Sequence, residues 1–366
     1  MNRQLVTIVI PMLNAAPTIE QCLASCIALD WADLEIVVVD NGSTDDSRAR
    51  VAAVARTSRC PVVLLECEER GPGLARNWAY PYIRGAFVAW VDADDAVFAS
   101  KLKEQIAVLH PFMGSPAIAS SDVLVEESQE GSGAQVTNVM TMLPTANERE
   151  MMLFGQRGIP PVGYLMTRAA VDLLHTSGGF RAVRCQDREY FARASLLGIP
   201  FVHVPRILSV YRNWSARQVT RQVERLLWAP ALKTCYASLR STRQRYRIAL
   251  SDTEERALDR SWAYHAWRPF EWKSADSEVS VRTETGKEDL RLDPIGHAMV
   301  VACSHSPVVF AESLAAGVAL SFPMLAPAFS RLLATAHRLL ETSLLIPIDE
   351  STAEELCQRR AAGRAP

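Results

Sequence analysis

From Leu5 to about Leu109, short runs of β-branched and other apolar residues alternate with segments whose apolar positions recur every three or four residues. That rhythm predicts βαβ units around a mostly parallel sheet. Strands are expected over Leu5 to Ile10, Glu35 to Val39, Val62 to Glu66 and Ala86 to Val91. Each is nearly continuous in apolar residues, as a strand covered on both faces must be. Between the first two, Thr18-Ile19-Glu20-Gln21 reads as a capping box, and Ile19, Leu23, Cys26 and Ile27 follow at helical spacing. Further helices are expected after Asn41-Gly42-Ser43, near Leu74, and from Ser100 to Leu109, stopping before Pro111.

Downstream the pattern is less regular. Glu126 to Ala134 is acidic and rich in glycine and serine, the composition of a mobile surface loop. Gly178-Gly179-Phe180 marks a turn, a helix is expected from about Asp187 to Leu197, and a short strand from Pro200 to Val204. Val219, Val223, Leu226 and Leu227 share one helical face, and past Trp228 charged helical patterns replace the βαβ rhythm. The division drawn is therefore residues 1–228 as an α/β domain and 229–366 as a separate, largely helical C-terminal region whose role the pattern leaves open. Trp262, Trp267, Trp272 and Tyr264, close to His265 and Arg268, offer stacking surface for a sugar, and helix packing is the simpler account. No internal repeat is found, and the tail from Arg359 to Pro366 reads as frayed.

With 366 residues, 49% of them hydrophobic, the chain can bury a large core, so disorder is not the default. A formal net charge of -2 gives no global footprint for nucleic acid, and no nucleic-acid partner is expected. Eight cysteines at irregular spacing form no CxxC pair, which argues for reduced, buried thiols over a zinc ribbon or redox motif. The apolar run at the start is too short for a signal peptide, so a cytoplasmic location is expected. Val308 to Leu325 contains Glu312 and Pro323, which favours core or an interfacial helix over a membrane span and leaves peripheral membrane association open.

The candidate chemistry gathers where strands end. Val91 runs directly into Asp92-Ala93-Asp94-Asp95, a group of carboxylates at the carboxyl edge of the sheet, where open α/β sheets bind ligands. Crowded carboxylates call for a cation, and hard oxygen donors suit Mg²⁺ or Mn²⁺; the alternative is a solvated turn with capping aspartates. Asp40 likewise ends a strand and leads into a turn that can present backbone N–H groups, unless it merely caps the next helix. Glu69-Arg70-Gly71-Pro72-Gly73-Leu74-Ala75-Arg76-Asn77 combines close-approach glycines with a guanidinium suited to a diphosphate. It is neither a Walker loop nor GxGxxG. His110, His175 and His203 lack ligand spacing and are assigned no chemistry.

Taken in order, these fragments resemble the family 2 glycosyltransferases, whose catalytic domain has the nucleotide-diphospho-sugar transferase (GT-A) fold. The resemblance spans Leu5 to Tyr211 and rests on Val9-Ile10-Pro11 through Asn14, Val38 to Ser47, Gly73 to Asn77, and Asp92-Ala93-Asp94-Asp95. It implies that Pro11 and Asn14 line the nucleotide site, Asp40 holds the base, and Arg76 and Asn77 lie on the donor side, with Arg76 near the phosphates. Asp92 and Asp94 match the family's DxD motif, the first acid near the ribose and the second on an Mn²⁺ or Mg²⁺ ion that bridges both phosphates, with Asp95 assisting. Gln186-Asp187 matches a segment that is typically Glu-Asp, and Asp187 is the implied general base. The implied partners are a nucleotide-diphospho-sugar donor and a saccharide, lipid-linked or other hydroxyl acceptor, and the implied reaction is inverting transfer.

Two departures stand out: Gln186 replaces the usual glutamate, and Tyr211-Arg212-Asn213 has asparagine where relatives often carry histidine. There is no QxxRW segment, which disfavours a processive synthase. Two rivals stay open, a sugar nucleotidyltransferase and an inactive binding or scaffold protein of the same fold.

Overall fold

The computed structural model describes residues 4–128, 135–140, 160–181, 185–213 and 228–251, and beyond these 254–255, 258, 264–267, 270–274, 278–283, 286–303, 308–309, 335–336, 338–339, 342, 344–348 and 355. The chain divides into two compact units, residues 1–224 with 230–259, and residues 225–229 with 260–366.

In the first unit the four apolar runs form β1 (Val6–Met12), β2 (Leu34–Asp40), β3 (Val62–Glu66) and β4 (Phe87–Trp90). β1, β2 and β4 are buried at every position, while β3, at the sheet edge, is half-covered. Strands buried on both faces cannot alternate polar with apolar, which is why these runs are legible as strands. The intervening helices are α1 (Ile19–Ile27), α2 (Ser47–Thr57) and α3 (Pro72–Ala79), and α4 (Lys101–Leu109) follows β5 (Ala96–Val97). The capping box at Thr18 does not form. Thr18 Oγ1 turns back to donate to Ala15 O at 3.4 Å, the carbonyl that also receives the Thr18 and Ile19 amides.

Sheet order is β3-β2-β1-β4-β8-β6-β9-β5, with β7 (Gln135–Met140) paired to β6 (Ile118–Ser128), β8 at Tyr164–Thr167 and β9 at Phe201–Asn213. The parallel character holds from β3 to β4 and returns between β6 and β9, whereas β8, β7 and β5 pair antiparallel. Glu126 to Ser128, expected in a loop, complete β6, and 129–134 lie outside the described residues. β9 runs nine residues past the expected end at Val204. Its register against β6 jumps from Ser121↔Val204 to Asp122↔Ile207 and Val123↔Ser209, so a bulge absorbs Pro205, which would otherwise break the ladder. Two helices flank this half, α5 (Arg168–Thr176) and α6 (Gln186–Leu196), and α7 (Trp228–Tyr246) follows.

In the second unit the described residues fall mostly in strands where helices are expected. Among its described residues β10 (Tyr264–Trp267), β14 (Val308–Val309) and β15 (Leu345–Ile348) form one antiparallel sheet, and β11 (Phe270–Ser274), β12 (Glu278–Thr283) and β13 (Gly286–Arg291) a second; one helix, α8, spans Pro294–Cys303. Val279, Ser280 and Val281 are all buried at the centre of β12, the middle strand of its sheet, which the charged residues around them hide. Tyr264, His265, Trp267 and Trp272 therefore lie on strands, not on a packed helix, while Trp262, Arg268, 219–227, 310–325 and 359–366 lie outside the described residues. No described helix is long and apolar enough to cross a membrane. Cys22, Cys26, Cys60, Cys67 and Cys235 are buried free thiols, as expected.

One buried charge sets a pH dependence. Lys101 is 1% exposed, its Nζ donates to Gln105 Oε1 at 2.8 Å, and Gln105 Nε2 donates to Gly163 O at 2.9 Å. Burial lowers the amine from 10.5 to about 7, against a smaller opposing effect of Cys26. Between those values the unfolded chain holds the extra proton, so this group makes stability rise with pH. Unfolding by urea at pH 7.5 and pH 9 is expected to show the wild type gaining about 2 kcal/mol over Lys101→Met across that interval. Parallel pH responses would show that the amine stays charged when folded.

Candidate functional site

The register of the parallel strands decides what stands together. Met12 pairs with Asp40, Asp40 with Glu66, and Val9 with Trp90, so β1, β2 and β4 release their following residues along one carboxyl edge. Pro11 is buried within β1, and Asn14 follows in a left-handed conformation at φ 49°. Asn14 Oδ1 accepts from Thr44 N at 2.8 Å, and Asn14 N donates to Ser43 Oγ at 2.9 Å, which knits the loop after β1 to the loop after β2. Asp40 is 2% exposed and accepts the Ser43 amide at 3.2 and 3.3 Å, with Arg48 Nε 3.6 Å away. It both ends its strand and shapes the turn beyond it.

Asn41 is a residue the sequence reading passes over. Its Nδ2 donates to Cys67 O at 3.2 Å and to Glu69 O at 2.6 Å, while Oδ1 accepts from Gly71 N at 2.7 Å. One buried amide thus ties the loop after β2 to the glycine-rich entry of α3. The signal available beforehand is an amide directly after a buried strand-end acid.

Arg76, on α3, is 2% exposed. Its guanidinium donates to the Asp92 carboxylate and lies 5.2 Å from the Phe180 ring centroid, and its Nε is buried without a partner. The acids after β4 diverge. Asp92 is engaged by Arg76, Asp94 is half-buried, and Asp95 is fully buried with Oδ1 accepting from Arg212 N at 3.0 Å. Burial, then the charges of Asp92 and Asp94, push the Asp95 carboxyl well above the usual range. Its Oδ2 is buried without a partner. Among the described residues no group of three or more His, Cys, Asp or Glu side chains forms a protein-only metal site. The donor set nonetheless fits Mg²⁺ or Mn²⁺: all donors are oxygens, and such ions commonly take one or two carboxylates and draw their remaining ligands from substrate phosphates.

Beside α3 stands α6, which opens at Gln186 after Cys185 in a left-handed conformation and carries Asp187, half-buried, in its first turn. The approach of the two helices is close. A Cβ at Gly73 would meet Gln186 Oε1 at 1.8 Å and Phe180 Cβ at 3.1 Å, so the Gln186 side chain reaches α3 and would have to turn aside for a larger residue there. Asn77, expected on the donor side, directs its amide to the Phe180 main chain. Deeper in α6, Glu189 and Arg193 form a fully buried ion pair at 2.9 Å. Arg193 also donates to Leu174 O, Ser177 Oγ and Gly179 O, and Glu189 accepts from Ser238 Oγ at 2.8 Å on α7, with Arg181 3.3 Å away. Every charged atom there has a partner, as a buried pair requires.

Arg212 is fixed to β9 and reaches Glu126 Oε2 at 3.3 Å, while Asn213 closes the strand opposite Glu127. His203 lies 3.1 Å from both Ser120 Oγ and Asp122 Oδ1, and His175 stacks on Tyr80 at 3.5 Å, both structural contacts.

Comparison with known proteins meets this geometry. Residues 7–123 match the model of glycosyl transferase family 2. An Escherichia coli UDP-Glc:alpha-D-GlcNAc-diphosphoundecaprenol beta-1,3-glucosyltransferase is 35% identical over 109 residues, 30% of this chain and 42% of that protein, so the match spans less than half of the relative. S. aureus TarS 1-349 in complex with UDP-GlcNAc superposes with a TM-score of 0.53 at 15% identity, covering 98% of this chain and 92% of that one. The mannosyltransferase PcManGT from Pyrobaculum calidifontis, in complex with GDP-Man and Mn²⁺, gives 0.50 at 17% identity over 99% and 86%. At such identities the likeness is one of fold. Segment match and fold agree with the strand-edge motifs: residues 7–123 are similar to glycosyl transferase family 2, and the sheet with its flanking helices has the GT-A fold.

Proposed function

We propose that the protein is an inverting, metal-dependent glycosyltransferase that moves a sugar from a nucleotide-diphosphate donor to an acceptor hydroxyl. The observation that carries this reading is the convergence of Asp40, Arg76 and Asp92 at one carboxyl edge, with α6 and its Asp187 packed on the helix that bears Arg76. Pro11, Asn14 and Asp40 hold the nucleoside side of the donor and Asp92 the ribose. Arg76, already neutralised in part by Asp92, stabilises negative charge as the diphosphate departs. Asp94, with Asp95 behind it, holds Mn²⁺ or Mg²⁺, which when bound supplies Lewis-acid stabilisation of the phosphate oxygens. Asp187 takes the acceptor hydroxyl's proton as that oxygen attacks the anomeric carbon, and the carbon–diphosphate bond breaks on the opposite face, which inverts the centre.

The nucleotide sugars named for TarS and PcManGT, and the Mn²⁺ named for the latter, support the donor and cation classes. The lipid-linked acceptor in the E. coli relative's name supports a lipid-linked or other saccharide acceptor and peripheral contact with a membrane. To test the reading, UDP-, GDP- and dTDP-sugars are each incubated with the protein and Mn²⁺, and nucleoside diphosphate release is followed while NMR reads the anomeric configuration of any product. One nucleotide class is expected to support release with inversion. Pyrophosphate formation from a nucleoside triphosphate and a sugar phosphate would replace this reading with a nucleotidyltransferase, and tight binding without release would replace it with an inactive binder.

A further inference from the structure

Asn77 follows Arg76 on α3, and both ends of its side-chain amide go to one residue: Nδ2 donates to Phe180 O at 2.7 Å and Oδ1 accepts from Phe180 N at 2.7 Å. This paired contact fixes the main chain of residue 180 against α3. The turn that delivers it needs Gly178 at φ 121° and Gly179 at φ 60°, and a Cβ on Gly179 would come within 2.5 Å of Asn77 Oδ1. Phe180, so held, stacks on Tyr190 of α6 at 3.8 Å and 2°, meets Trp90 of β4 edge-on at 5.1 Å, and lies beneath the Arg76 guanidinium. Gly179 O in turn accepts from Arg193 of α6. The same turn therefore touches the helix of the donor side through Asn77 and the helix of Asp187 through Arg193 and Tyr190.

We propose that Asn77 is a positioning residue for transfer and not a ligand of the donor: by clamping Phe180 it sets α6, and with it Asp187, in register with Arg76. The inference rests on the reading of Asp187 as the general base. With both amide atoms committed to the main chain, Asn77 gives the donor no binding contact it would miss. A clamp that slackens displaces the base, and displacements of about 1 Å at a reacting centre are enough to cost on the order of a hundredfold in rate.

The test is a double-mutant cycle of Asn77→Ala with Asp187→Asn, read by nucleoside diphosphate affinity, donor KM and kcat. Asn77→Ala alone is expected to keep nucleotide affinity and donor KM within about twofold while kcat falls about ten- to hundredfold. Gly179→Ala, which strains the clamp from its other side, is expected to give the same split. In the Asp187→Asn background the effect of Asn77→Ala on kcat should vanish, because a residue that acts only through the base has nothing left to position. A parallel loss of nucleotide affinity overturns the proposal in favour of donor contact. Additive losses of kcat in a protein that needs Asp187 overturn the positioning role alone, whereas a fully active Asp187→Asn single variant overturns the base assignment itself. If Asn77→Ala loses its cooperative melt, Asn77→Ser, which keeps one hydrogen-bonding group, goes through the same cycle.

Discussion

Asp187→Asn is expected to bind nucleoside diphosphate within about twofold of the wild type and to lose transfer by a factor of about 10²–10⁴, the range that a positioned general base contributes. The substitution is nearly isosteric, so the packing of α6 on α3 through Gly73 and Gln186 is preserved. What disappears is a proton acceptor, and among the described residues the first turn of α6 offers no replacement. The other acid of the first turn, Glu189, is fully buried and engaged by Arg193, Arg181 and Ser238. Position 186 holds an uncharged glutamine. A family member with two adjacent acids could shift the proton to its neighbour; here the loss falls on one residue. Steady-state kinetics of transfer, alongside nucleotide affinity by calorimetry, checks both halves, and unchanged turnover would remove Asp187 from the mechanism.

The sequence made the half of the fold from β1 to β4 readable because that half is governed by short-range rules. Parallel strands buried on both faces become unbroken apolar runs, and the polar residue that ends such a run must lie at the sheet edge; Asp40 and Asp92 are found there. The half from β6 onward obeys longer-range constraints. β8 has four residues, β9 passes a proline through a bulge, and β6 continues into residues whose composition resembles a loop. Glu189 and Arg193 are spaced like an ordinary exposed i,i+4 pair, and only the surrounding turn and α7 reveal that they are buried. Asn41 and Asn77 show the same limit. An asparagine beside a motif reads as a ligand or a turn residue, and its role emerges only when its amide is seen to serve a main chain at Cys67, Glu69 and Gly71, or at Phe180 more than a hundred residues away. In the second unit, charge on the flanking residues hid the buried centre of β12 at Val279, Ser280 and Val281.

Asp94→Ala is expected to lose most of the stabilisation that nucleotide and cation bring. With a nucleoside diphosphate and Mn²⁺ the variant should melt below the wild type. A ligand at a hundred times its dissociation constant stabilises the folded chain by about 2.7 kcal/mol, and a variant that cannot hold the cation should forfeit most of that. The choice of Asp94 follows from its neighbours: Asp92 is engaged by Arg76, and Asp95 is buried and spends one oxygen on the Arg212 amide, so neither can take over its part without giving up a structural contact. Thermal unfolding with and without nucleotide, Mn²⁺ and EDTA separates the cases. EDTA should bring the nucleotide-bound wild type down to the variant and leave the variant unmoved. A nucleotide shift that survives both EDTA and the substitution would mean that Arg76 alone handles the diphosphate and that the acids after β4 shape the edge without binding a cation.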